Sequence, residues 1–247
     1  MPDKAWFRDW FNSHYYHLLY QHRDDREAMD FFATLIQYLQ PKSGSRMLDV
    51  ACGKGRHSKA LADMGFDVTG IDLSAASIIA AKEQEAENLH FYQHDMRLPF
   101  WVNYYDYAFN FFTSFGYFRT RREHDSAIRT VAQSLQHGGY FVIDYLNVHY
   151  AEDQLEKATI TQAGEVLFHI SKWQDEDHFF KQIQITDPTH PTPHHLYTER
   201  VAKFSLGDFT DMLAYQGMQV QEVFGDYQLG RYDVRKSPRM IILAKKY

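Results

Sequence analysis

The chain has 247 residues, enough for one domain with a full α/β core, and its 32 acidic against 26 basic residues leave a formal charge of −6. That balance argues against nucleic-acid phosphate as the main partner, because such interfaces gather Lys and Arg on one face. The single cysteine, Cys52, precludes an intramolecular disulfide, and no apolar run reaches membrane-spanning length or resembles a signal peptide, so a cytoplasmic protein is expected.

Residues 1–40 read as helical. Trp6, Phe7, Trp10 and Phe11 share one spacing, and Ala28, Phe31, Phe32, Leu35, Ile36 and Leu39 form a stripe that Pro41 and Gly44 end. The stretch between them, His14 to Glu27, is too polar and aromatic for a simple amphipathic helix. Met47 to Ala51 is an apolar run suited to a strand buried on both faces. Gly53 and Gly55 then break the chain before a helix from His57 to Met64, with Ala60, Leu61 and Met64 at helical spacing.

A glycine turn feeding a helix leaves backbone N–H groups uncovered at the positive end of the helix dipole, with no Cβ to hold a ligand off. The next strand, Asp67 to Ile71, ends in Asp72, nineteen positions beyond Gly53. An acid at that distance stands at the tip of the neighbouring strand and accepts both ribose hydroxyls of a nucleoside. The third small residue of a dinucleotide fingerprint falls on Ser58, which does not by itself exclude NAD(P). Asp49 argues harder, since a carboxylate at the end of the first strand repels a pyrophosphate and suits a cation.

Further along, Ala75 to Glu87 reads as a helix with Ser74 as its cap, and Leu89 to Gln93 as the third strand. His94, Asp95, Met96 and Arg97 follow at the edge where open α/β sheets hold ligands. Tyr105 to Phe112 is the fourth strand, with Asn110 near its ligand-facing end and Thr113 to Phe118 as the loop after it. A helix from Ala127 to Leu135 stops at His137-Gly138-Gly139, and Tyr140 to Tyr145 is the fifth strand. Residues 151–204 break the alternation with three strands, Glu165 to Trp173, His178 to Ile185 and Tyr197 to Phe204, expected to form an inserted antiparallel layer. His190, His194 and His195 in its turn lack the Cys or carboxylate partners of a metal site, so no metal is expected. A helix from Ser205 to Gly217 and strands Met218 to Phe224 and Met240 to Ala244 close the chain. Arg239 is read either as a contact for an anionic acceptor or as half of a structural ion pair.

The run Asp49-Val50-Ala51-Cys52-Gly53-Lys54-Gly55, an acid followed by x-x-G-x-G, resembles the strand-one signature of class I S-adenosylmethionine (SAM)-dependent methyltransferases. The likeness is to their small-molecule members, glycine N-methyltransferase and the amino-sugar N-methyltransferases. It implies a Rossmann-like seven-stranded sheet, mostly parallel with the last strand antiparallel, over 41–150 and 205–247. A helical cap is expected at 1–40, and the insertion at 151–204 over the acceptor site, all as one domain. It also implies SAM as cofactor, S-adenosylhomocysteine (SAH) as product, and a cofactor set of Asp49, Ala51, Gly53, Gly55, Asp72, Leu73 and Asn110.

In the family an Asp bonds the adenine amino group and the next backbone N–H meets a ring nitrogen, roles that fall on Asp95 and Met96. A Tyr and an Arg before the sheet reach the SAM carboxylate, which favours Tyr16 and Arg23, with Tyr20 and Arg26 as competitors. The loop from Thr113 abuts the methyl group, and His14, Tyr117 and His149 are the candidates to take a proton. The (N/D)-P-P-(Y/F) signature of DNA and protein-amide enzymes and the Pro-Cys of cytosine C5 enzymes are both missing. The expectation is methyl transfer to N or O, in preference to C, of a small molecule, by a monomer or homodimer. The alternatives are an NAD(P)-dependent oxidoreductase and a noncatalytic SAM-binding protein.

Overall fold

The structure is a computed structural model, and it describes residues 6–20, 25–190 and 195–247. Helices α1 (Trp6–Asn12), α2 (His14–Leu19) and α3 (Asp25–Leu39) precede the first strand. The first half of the sheet then alternates as β1 (Arg46–Val50), α4 (Arg56–Asp63), β2 (Asp67–Asp72), α5 (Ala75–Lys82) and β3 (Leu89–Gln93). Next come β4 (Tyr105–Asn110), α6 (Arg121–Ser134), β5 (Leu135–Leu146) and α7 (Val148–Asp153). Strands β6 (Ala158–Ala163), β7 (Val166–Gln174), β8 (His178–Thr186) and β9 (His195–Ala202) form a separate sheet before α8 (Leu206–Ala214), β10 (Met218–Phe224) and β11 (Arg239–Lys246).

Seven strands pair in the order β10-β11-β5-β4-β1-β2-β3. The pairs among β1 to β5 are parallel, and β11 runs antiparallel between β5 and β10. This is the expected class I architecture. Met47 to Val50 are all buried because helices cover both faces: Phe31, Phe32 and Leu35 of α3 pack on one side, Ile128 and Val131 of α6 with Phe209 and Leu213 of α8 on the other. The strand order reverses direction at β1 and β4, so the crevice beyond their carboxyl ends is the natural ligand position.

Three expectations are corrected. The insertion has four strands rather than three, because β6 places Ile160 outward at 69% exposure and so lacks the apolar alternation that marks a strand. The helix after Asp72 ends at Lys82, and Glu85 folds back to accept the Phe91 N–H. The His137-Gly138-Gly139 segment is no helix stop, since β5 begins at Leu135. Gly138, at φ +84°, instead lies where the pairing with β4 slips between Tyr105 and Tyr107.

The inner face of the second sheet, Phe168, Ile170, Ile183 and Ile185, packs on Trp10 of α1 and on the aromatic side chains of α2. The N-terminal helices therefore bridge the insertion and the cleft at the end of the seven-stranded sheet. Among the described residues no helix is long and apolar enough to cross a membrane.

Candidate functional site

The carboxyl ends of β1, β2 and β4 open into a cleft of about 940 Å3, counting its mouth. Its floor is the turn after β1. Ala51 and Gly53 lie in the left-handed region, at φ +63° and +56°, and both line the cleft. A Cβ on Gly53 would meet nothing within 4 Å, so the space above it is open to a ligand. Gly55 is required for another reason: at φ +79° its added Cβ would sit 2.4 Å from the Phe91 ring. It also caps α4 with no side chain of its own, and the carboxylate of Asp49 takes the Ser58 N–H of the first turn.

Asp72 lines the cleft at the tip of β2. Its Oδ2 accepts the Gly53 N–H at 2.9 Å and its Oδ1 the Ser74 N–H at 2.7 Å, which fixes the carboxylate plane. Burial raises its pKa above the usual carboxylate range even though these backbone donors oppose the shift. The Leu73 N–H is a third backbone donor to this carboxylate, whose remaining acceptor capacity faces the cleft. Leu73 lines the wall beside it, and Asp95 and Met96 come from the segment after β3. The guanidinium of Arg97 grips Asp95 at 2.6 Å and reaches Glu123, also at 2.6 Å, so the acid is held by a charged fork. The Met96 carbonyl accepts the Thr130 hydroxyl.

Asp49, Gly55 and Asn110 stand behind this wall rather than on it. Asp49 is buried beneath the turn, where it accepts the Ser58 hydroxyl at 2.6 Å; burial, with the Asp72 charge adding to it, pushes its pKa up to about 6. Asn110 donates to the Val50 carbonyl at 2.9 Å and ties β4 to the end of β1, while its buried Oδ1 has no partner among the described residues.

The loop after β4 forms one side of the cleft with Phe112, Thr113, Ser114, Tyr117 and Phe118. Phe112 and Thr113 are non-glycine residues at φ +56° and +57°, a strained path held from behind. Fully buried Asp144 accepts the Phe112 N–H at 2.7 Å and pairs with Arg239 at 2.7 Å, and Arg239 donates to the Thr113 hydroxyl at 2.9 Å. Arg239 is thus half of a structural ion pair, the second of its two readings. His124 braces the other end of the loop by accepting the Phe118 N–H, and burial holds its pKa down to about 4.

Phe11, Tyr16 and Tyr20 form the remaining wall with Glu199 of β9. The Tyr117 ring meets Phe11 edge-on at 5.4 Å. Glu199 accepts the Trp10 indole N–H at 2.7 Å and the Tyr20 hydroxyl at 2.8 Å. Tyr15 donates to Asp187 at 2.9 Å, a second tie between α2 and the insertion.

Of the three proton-handling candidates, Tyr117 faces the cleft. His14 is exposed on α2, and His149 sits on α7, 3.8 Å from Glu152 and beside a different cavity with Phe204 and Tyr232. Arg23 and His194 lie outside the described residues, as do the side chains of Arg26 and His195. Among the described residues no cluster of three or more His, Cys, Asp or Glu could hold a metal ion.

Glu199 and Asp144 escaped the reading of the sequence, although each carries a signal. Glu199 falls between Tyr197 and Val201 on the inward face of an alternating strand, and Asp144 interrupts the apolar run of β5. An acid on a buried face needs a partner or a task.

A family model described as a methyltransferase domain matches residues 41–184. The chain is 24% identical over 201 residues to dTDP-3-amino-3,6-dideoxy-alpha-D-glucopyranose N,N-dimethyltransferase of Streptomyces fradiae, covering 79% of this chain and 78% of that protein. An S-adenosylmethionine-dependent methyltransferase from Clostridium acetobutylicum superposes with a TM-score of 0.77 at 16% identity, over 94% of this chain and 96% of that one. SAM-bound CalS10, an amino pentose methyltransferase from Micromonospora echinaspora, superposes with a TM-score of 0.69 at 18% identity, over 95% and 98%.

Proposed function

The chain belongs to the methyltransferase domain family, and from that premise we propose that it carries a methyl group from SAM to the nitrogen of a small amine. The observation that carries the reading is the charge of the cleft. Its described lining holds three carboxylates, Asp72, Asp95 and Glu199, and neither Lys nor Arg; Arg97 and Lys181, the partners of Asp95 and Glu199, stand outside it, so the face toward the cleft is acidic and suits a cationic donor and an acceptor that arrives as an ammonium ion. The amino-sugar substrate in the name of the Streptomyces fradiae relative agrees with it.

The residues fit the donor. Asp72 takes the ribose hydroxyls, the open space over Gly53 and Ala51 receives the amino-acid end, and Asp95, Met96 and Leu73 hold the adenine. Tyr16, on the cleft wall with Tyr20, is assigned the donor carboxylate. Asp49, Gly55 and Asn110 keep the turn in shape, and the Asp49 charge beneath it favours a sulfonium. When bound, SAM would supply a methyl carbon on a sulfonium sulfur; the acceptor ammonium would first give up one proton, to Tyr117 or to solvent, so that the freed lone pair bonds to that carbon while the C–S pair passes to sulfur.

The chain's own work is alignment and exclusion of water, with Phe11, Tyr16, Tyr20 and Tyr117 closing the cleft. Tyr117, the one of the three proton-handling candidates that lines the cleft, is assigned to take the acceptor's proton. Residues 41–150 and 205–247 form the core that serves the donor and carries Tyr117, 151–204 face the acceptor, and the helices within 1–40 cover both, in a cytoplasmic monomer or homodimer whose substrate is a small molecule rather than nucleic acid.

The test offers SAM with dTDP-3-amino-3,6-dideoxyglucose and with its 3-hydroxyl counterpart, followed by mass spectrometry. Methyl groups on the amine alone are the expected result. Methylation of the hydroxyl sugar, or of neither across a panel of primary amines, overturns the amine reading.

A further inference from the structure

Glu199 stands where two cavities meet. Besides the main cleft it lines a chamber of about 880 Å3 between α7 and the second sheet, with Tyr150, Leu155, Phe179 and Val201. Register brings it there: Lys172, Lys181 and Glu199 lie abreast across β7, β8 and β9, a charged row at the border of the apolar face that packs on Trp10. A charge on this face is costly to bury unless it is used.

Its two oxygens are treated differently. Oε1 accepts both the Trp10 and the Tyr20 hydrogen bonds, while Oε2 accepts none from a described residue and has Lys181 Nζ at 3.8 Å. Two donors on one oxygen lock the plane of the carboxylate and leave the other oxygen's lone pairs open. Of the three acids on the cleft wall, Asp72 and Asp95 come from the sheet edge that holds a nucleoside, whereas Glu199 comes from the inserted layer on the opposite side.

We propose, resting on the amine reading above, that Glu199 binds the acceptor: Oε2 accepts an N–H of its ammonium group and sets the direction in which the nitrogen faces the donor. A charge-assisted hydrogen bond to a fixed carboxylate separates an amine from an otherwise identical alcohol, because the alcohol brings no charge to meet it.

The test is Glu199→Gln, whose amide carbonyl still accepts from Trp10 and Tyr20 while an NH2 donor replaces Oε2. Expected are an unchanged melting temperature, SAH affinity within about twofold of wild type, and a KM for dTDP-3-amino-3,6-dideoxyglucose raised about tenfold or more. An unchanged KM overturns the assignment and leaves the amine reading standing. A parallel loss of SAH affinity also overturns it, by assigning Glu199 to the donor's own ammonium group. Methylation of the 3-hydroxyl sugar by wild type and variant alike removes the amine reading and this assignment with it.

A second measurement needs no variant. In the SAH complex of the wild-type protein, the Trp10 indole N–H resonance shifts when the amino sugar nucleotide is added and stays in place with the hydroxyl counterpart. Equal responses to the two overturn the assignment.

Discussion

The two walls of the cleft are built by opposite means. The donor wall uses backbone geometry and neighbours in the chain: Gly53 and Asp72, nineteen residues apart, hydrogen-bond directly, and Ser74 follows two positions later. The wall proposed for the acceptor uses side chains far apart in sequence, with Trp10 and Glu199 separated by 189 positions and Tyr20 and Glu199 by 179. The first wall is a local motif that three consecutive parallel strands and the turns after them suffice to form. The second exists only once α1 and α2 have docked on the inserted sheet.

The largest expected effect separates the two glycines of the turn. Gly55→Val drives a Cβ into Phe91 in a left-handed conformation and is expected to cost about 3 kcal/mol or more of stability. Gly53→Val carries only the backbone strain, about 1–2 kcal/mol, yet abolishes SAH binding. Thermal melts beside calorimetric titration distinguish them, and equal behaviour of the two variants would mean that turn packing and ligand approach are not divided in this way.

Asp49 gives the next effect, with a definite sign. Its carboxyl titrates near 3.8 in the unfolded chain and at about 6 in the folded one, so the native state holds its proton more tightly. Stability from this group is therefore present at acid pH and lost as pH rises from about 4 through 6. Asp49→Asn is expected to escape that loss and to be more stable than wild type near neutral pH by roughly 2–3 kcal/mol in the ligand-free protein. Because a sulfonium favours the ionised acid, SAM affinity in the wild type should rise through the same interval, and in the variant it should not. Melts and titrations across pH 4–8 decide both.

Asp72→Ala is expected to weaken SAH binding by about 1–3 kcal/mol, the range for losing a charged hydrogen-bond partner, as read by calorimetry. Trp10→Phe is the smallest and the sharpest for the comparison. It removes one donor from Glu199, costs about 1 kcal/mol of stability, raises the acceptor KM and leaves SAH affinity alone. Loss of SAH affinity in that variant would show that the walls are not independent.

What could be read from the sequence follows the same division. The strand, turn and acid from Met47 to Asp72 were legible because period, glycine placement and spacing are all local. Ser58, which left a dinucleotide open, proves to be the hydroxyl that satisfies Asp49. Roles that depend on depth were not legible: Asp49 and Asn110 sit at the expected strand ends but one layer behind the wall, and no local pattern distinguishes those positions. His149 was a plausible loop base on the sequence alone, yet α7 carries it to another cavity. Glu199 and the Asp144–Arg239 pair depend on strand register between distant segments, which spacing within one strand does not encode.

The hydrogen bond from Trp10 to Glu199 also dictates a timetable of assembly. The wall proposed for the donor is encoded before residue 111, whereas α1, which Asn12 ties to Ser74 of the sheet edge, finds the partner of its Trp10 indole only when residue 199 has been made. On the ribosome the aromatic faces of α1 and α2 that pack on the second sheet must wait for it through most of translation. The seating of α1 and α2 on the second sheet therefore cannot precede the making of β9.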